Sequence, residues 1–189
     1  MDFYHLPKKQ GLYDPSFEHD SCGVGFVCDI KGEPSNNIMA QGLEILRRLS
    51  HRGATGADPK TGDGAGILIQ IPHEFFAKEC SRINIALPKK GLYGTGLVFL
   101  PQDETERAFC KKVFSQIIKK TGQGLIGWRN VPVDNSDIGI TAKKTEPAIE
   151  QVFIRRGDGL KEDIDFERVL YVIRKEVENI IRSSKLRQK

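Results

Sequence analysis

Cys22 heads the stretch Cys22-Gly23-Val24-Gly25-Phe26, and the chemistry of this chain can be organised around it. A cysteine attacks as thiolate, and a free thiol with a pKa of about 8.5 needs a base to supply it. His19, His51 and His73 could fold nearby, but none is tied to Cys22 by spacing. An α-amino group, with an ordinary pKa of about 7.7–8.0, suits the task near neutral pH. Cleavage between Ser21 and Cys22 would put that amine on the nucleophile's own residue, so that proximity is built in covalently. While residues 1–21 remain attached, the same nitrogen is an amide and cannot act as a base. Gly23 and Gly25 remove side chains beside the cysteine, which is expected where a backbone or a ligand comes close.

The stretch Ser50 to Gly66 carries five glycines and reads as a loop. It lacks the spacing of a Walker A loop, and it leads into a strand rather than a helix, unlike a GxGxxG turn. His73-Glu74 lacks the second histidine of a zinc-binding HExxH. The cysteines at 22, 28, 80 and 110 form no CxxC pair and no metal spacing, which fits a reduced, cytoplasmic chain. Cys28, Cys80 and Cys110 read as small apolar fillers.

The elements that must position Cys22 follow from periodicity. Residues 1–21 show neither helical nor strand period and read as an arm. Alternation across 22–30 predicts a strand with Cys22, Val24, Phe26, Cys28 and Ile30 on one face. Lys31-Gly32-Glu33-Pro34 is a turn, and Ser35 or Asn36 can cap a helix running to Ser50. A buried strand is expected over 66–72, a helix from His73 to Cys80, and a strand over 94–101. Asp103, with Glu106 in the capping-box position, opens a helix whose stripe is Ala108, Phe109, Val113, Phe114, Ile117 and Ile118. Strands over 125–133 and 147–155 precede a final helix capped by Asp165. No repeat or linker interrupts this order, so the chain is a mixed α and β protein around one core.

Net charge is +4, from 29 basic and 25 acidic side chains, and the excess gathers in the tail from Arg182 to Lys189. A tail of this kind reads as solvated, so nucleic acid is not an expected partner. No run approaches a membrane span, and the start lacks the basic and apolar regions of a secretory signal.

Three stretches carry a resemblance: Gly11 to Phe26, Leu49 to Asp58 and Thr61 to Leu68. Together they resemble the N-terminal, class II glutamine amidotransferase domain of glutamate synthase large (α) subunits, which belongs to the N-terminal nucleophile hydrolases. The resemblance implies an α+β fold of four αββα layers, partial here. It divides the chain into a propeptide, 1–21, and an incomplete amidotransferase domain, 22–189. Cys22 would attack the side-chain amide of L-glutamine, with its freed amine as base, and release glutamate and ammonia through a thioester. Arg52 and Gly53 match the family's His-Arg-Gly stretch, which orders the nucleophile's end of the site.

The family's oxyanion-hole Asn-Gly pair has no counterpart, since no Asn-Gly occurs in the sequence. The resemblance implies that the rest of the amidotransferase domain lies beyond the last residue, so the final helix should expose an apolar face. It also implies no cofactor within this stretch, FMN and an iron–sulfur cluster belonging to the remainder of the full enzyme. The expected partners are glutamine and those remaining domains. The alternative is an unprocessed, inactive relative that serves as a binding or assembly module.

Overall fold

In the computed structural model, residues 9–12, 14, 23–50, 53 and 58–184 are described. The chain divides into two compact units, Met1–Leu68 and Ile69–Lys189.

In the first unit, α1 (Asn36–Arg48) starts where Ser35 Oγ accepts a hydrogen bond from the Ile38 N–H at 3.3 Å. Arg47 and Arg48 occupy its last turn, where positive charge complements the helix dipole. Arg48 Nε donates to Glu44 Oε1 at 2.9 Å, and this guanidinium holds the Glu44 carboxyl below its ordinary pKa. Asp29 anchors the expected turn. Its Oδ1 accepts from the Lys31 and Glu33 amides, and Gly32 takes φ of 72°, where a side chain would be strained.

Two expected strands do not form. Described residues 23–29 and 66–72 form neither strand nor helix. A strand satisfies its backbone through a neighbour, and among the described residues none lies alongside. Alternation survives in 23–30 without the ladder. Gly23 and Gly25 lie against α1, while Val24, Phe26 and Ile30 are open to solvent. Cys28 shares the open side, so it is exposed rather than a core filler.

The second unit contains α2 (His73–Ser81), β1 (Tyr93–Leu100), α3 (Glu104–Lys120), β2 (Gly124–Asn130), α4 (Ile140–Lys144), β3 (Ala148–Arg155) and α5 (Asp163–Arg182). The three strands form an antiparallel sheet in the order β1-β3-β2. Tyr93 pairs with Arg155 and Leu100 with Ala148, while Trp128 pairs with Val152. A register shift between Leu125 and Gly127 marks an irregularity in β2. With helices segregated from an antiparallel sheet, the fold is α+β.

Core packing follows strand alternation on β3. Val152 and Ile154 meet Val113, Ile117 and Ile118 of α3 and Ile173 and Val177 of α5. Phe153 faces the other way, where it joins Phe76, Cys80 and Tyr93. Phe76 meets Phe153 edge-on at 5.4 Å between centroids, a favourable aromatic geometry.

Asp103 caps α3 as expected, accepting from the Glu106 N–H at 2.8 Å. The expected stripe holds at Val113, Ile117 and Ile118, with Phe114 packed beside them. At its start Cys110 is buried instead, whereas Ala108 and Phe109 are exposed. The final helix starts earlier than Asp165. Glu162 holds the N-cap position without a side-chain bond, and Asp165 lies inside the first turn, paired with Arg168 at 2.9 Å. The short α4 was not anticipated. As expected, α5 leaves apolar side chains outside, Ile164, Tyr171, Val172 and Ile180 among them.

Candidate active site

The described residues resume at Gly23, one position after Cys22. Cys22 and Arg52 lie outside the described residues. Gly23 to Asp29 run along α1 so closely that side chains would not fit on the inner face. A Cβ built on Gly25 would stand 2.6 Å from Ile45 Cγ2, and one on Gly23 would stand 3.0 Å from Leu49 Cδ2. The approach predicted from the two glycines is therefore made by a helix. Gly42 of α1 is also close to a neighbour, its notional Cβ lying 2.9 Å from Ile67 Cδ1. Segments 23–29 and 66–68 thus flank one helix; the approach is tightest at Gly25, while at Gly23 and Gly42 the neighbour is the end of a Leu49 or Ile67 side chain that could shift.

Of the positions singled out above, Gly23, Gly53 and part of the glycine-rich loop are described. Gly23 follows Cys22 and touches Leu49, which ends α1 three positions before Arg52. Gly53 closes the helix exit, its N–H donating to Ser50 O at 3.1 Å. A Cβ there would meet that same oxygen at 3.4 Å, an ordinary contact. The described backbone therefore gives no steric reason for glycine at 53. In the glycine-rich loop, Asp58 organises a turn: its carboxylate accepts from the Lys60 N–H at 3.1 Å and the Thr61 hydroxyl at 3.0 Å. Gly64 and Gly66 have open space around them.

The remaining thiols are poor rivals to Cys22. Burial pushes the pKa values of Cys80 and Cys110 up, which leaves them protonated near neutral pH. Cys28 is exposed and is the proper comparison in any labelling experiment. His73 is engaged at the start of α2, its Nδ1 lying 3.2 Å from the Tyr93 hydroxyl.

Sequence reasoning passed over a second constellation. Arg129 on β2 is largely buried, 3.4 Å from Glu79 of α2, and its guanidinium lies over the Phe75 ring. Beside it, Lys111 of α3 bonds Glu150 at 2.6 Å and sits 5.0 Å above Trp128. Glu79, Lys111, Trp128, Arg129 and Glu150 border an open groove of about 420 Å³. The only signal in the sequence was a Trp-Arg pair on a strand, which does not reveal partners on other elements. The groove's carboxylates are already paired with cations, so its architecture is accounted for by folding.

Sequence comparison places the chain beside known proteins. The family of class-II glutamine amidotransferases matches residues 22–189, and the chain belongs to that family. Its relatives include the glutamate synthase [NADPH] large chain of Bacillus subtilis, 50% identical over 95% of this chain and 12% of the relative. The glutamate synthase [NADH] of Schizosaccharomyces pombe is 44% identical over 95% of this chain and 9% of its own length. The ferredoxin-dependent glutamate synthase 2, chloroplastic, of Arabidopsis thaliana is 38% identical over 94% of this chain and 11% of its own. The chain therefore spans about a tenth of the length of these curated relatives.

Proposed function

We propose that this chain is the glutamine-hydrolysing part of a glutamate synthase. The Cys22 thiolate attacks the side-chain amide carbon of L-glutamine. The α-amine freed by removal of residues 1–21 takes the thiol proton and passes it to the departing nitrogen. The C–N bond breaks, ammonia leaves, and a γ-glutamyl thioester remains. Water then cleaves that thioester, so glutamate is released and the thiol restored. The ammonia is consumed elsewhere in the full enzyme, where 2-oxoglutarate becomes glutamate. Arg52 and Gly53 order the nucleophile's end of the site.

The observation that carries this reading is where the family match begins. It starts on Cys22 itself and leaves 1–21 outside. The contact between Gly23 and Leu49 supports the grouping of Cys22 with the residues after α1. The four-layer αββα sandwich belongs to the same proposal, supported by the open apolar side of Val24, Phe26 and Ile30, which a second sheet would cover. FMN and the iron–sulfur cluster are assigned to the remaining domains. Among the described residues no group of three His, Cys, Asp or Glu could hold a metal, and no step above passes through either group. A cytoplasmic location completes the reading; none of the described helices is long and apolar enough to cross a membrane.

Intact-mass analysis with a glutamine-like electrophile tests the proposal. The expected result is loss of residues 1–21 and one covalent adduct on Cys22, absent in Cys22→Ala. A retained arm, with Cys22 labelled no faster than Cys28, would refute the nucleophile and leave a binding or assembly module.

A further inference from the structure

We infer that the outer edge of β1 is a docking site for a fourth antiparallel strand, supplied by the polypeptide that runs on from α5 in the longer relatives. The inference concerns assembly and stands apart from the glutaminase reading.

The first ground is topology. β1 and β2 are each antiparallel to β3 and hence parallel to one another. The chain passes from β1 to β2 through α3, stepping over β3, and α3 lies on β2, with Phe114 edge-on to Trp128 at 5.3 Å. From β3 the chain enters α5, which lies over β1. Leu170 fills the space that a side chain on Gly94 would take. This second crossover repeats the first, and its next free position is the outer edge of β1. A strand there would be parallel to β3 and antiparallel to β1. It would complete the β-α-β-β-α-β arrangement, of which five members are present. Crossover connections return to the sheet they left, which favours this occupant over an unrelated one.

The second ground is the chemistry of the edge. Tyr93-Gly94-Thr95-Gly96-Leu97-Val98-Phe99-Leu100 contains no charge and no proline. Edge strands that stay unpaired are ordinarily guarded by charge, proline or a bulge. Leu97 and Phe99 are 56% and 66% exposed on one face, so an added strand would also find apolar cross-strand neighbours. No described residue pairs with this edge.

The test uses the whole chain and a synthetic peptide carrying the residues that follow the matched stretch in the B. subtilis large chain, about ten residues long. Amide exchange of β1 should slow by about tenfold or more when the peptide is present, and a scrambled peptide should have no effect. The exposed double substitution Leu97→Lys with Phe99→Lys should abolish this protection while β3 amides keep theirs, which shows that the fold survives. Failure of the peptide to protect β1, or protection elsewhere, would overturn the inference. So would an edge already protected in the chain alone. Dependence of that protection on concentration would assign the edge to a second copy, and independence to the chain's own residues. None of these outcomes bears on labelling of Cys22.

Discussion

At the residue scale, Gly25 and Gly64 look alike in sequence but differ in space. Gly25 faces Ile45 at a distance that no Cβ tolerates, so Gly25→Ala must push α1 away from segment 23–29. Overpacking of this kind costs about 1–3 kcal/mol. Gly64→Ala adds a methyl group to open space, so its effect should stay below about 1 kcal/mol. Urea unfolding of the two variants should show that contrast, and equal midpoints would refute the clamp. Gly53→Ala separates structure from chemistry in the same way. Its Cβ has room, so urea stability should hold, while the rate of Cys22 labelling should fall if the backbone at 53 orders the site. The prominence of Cys22 was legible from residue types alone. The exposure of Cys28 was not, because alternation reveals which residues share a face but not whether anything covers it.

At the scale of elements, α3 is tied to β3 through Glu150, which two cations of α3 approach. Glu150 is 6% exposed in the middle of the sheet, and its carboxylate takes Lys111 at 2.6 Å with Arg107 farther away at 3.8 Å. Lys111→Met keeps the aliphatic stem but leaves the buried carboxylate only the more distant Arg107, and should cost about 1.5–3 kcal/mol in urea unfolding. Pairing it with Glu150→Leu should recover most of that loss, since replacing a buried pair by apolar groups is often nearly neutral. If the double variant is no more stable than Lys111→Met, the cost lies in packing rather than in an unpaired charge. The helices from His73, Asp103 and Asp165 were legible to within a few residues, because caps and apolar period are local signals. The buried stripe of α3 was legible from Val113 onward; its start was not, since Phe109 and Cys110 are neighbours and only the position of the sheet decides between them.

At the scale of the whole molecule, the second unit buries three groups whose neutral forms it prefers. Burial raises the pKa values of Cys80, Cys110 and Tyr93. In the unfolded chain the thiols ionise from about pH 8.5 and the phenol from about pH 10. Above those values the unfolded state holds fewer protons than the folded one, so stability falls as pH rises. It is fully present below the unfolded pKa and lost progressively up to the folded one. Urea midpoints should decline from about pH 8.5 upward, and Cys80→Ala with Cys110→Ala should flatten the first part of that limb. A profile level to pH 10 in the parent chain would contradict the burial of these groups.

What the sequence by itself determined were the local and the heritable features. These are the glycine spacing after Cys22, the helix caps at Ser35 and Asp103, the three strands of the second unit, and the family membership that the comparison bears out. Only the tertiary structure decided that, among the described residues, segments 23–29 and 66–72 do not become strands, that Gly25 answers to Ile45, and that no described segment pairs with the outer edge of β1. The physical reason is the same in each case. Helices close their hydrogen bonds within a single segment, so their presence is written locally. A strand exists only when another segment supplies its partner, and a core contact only when two distant positions meet.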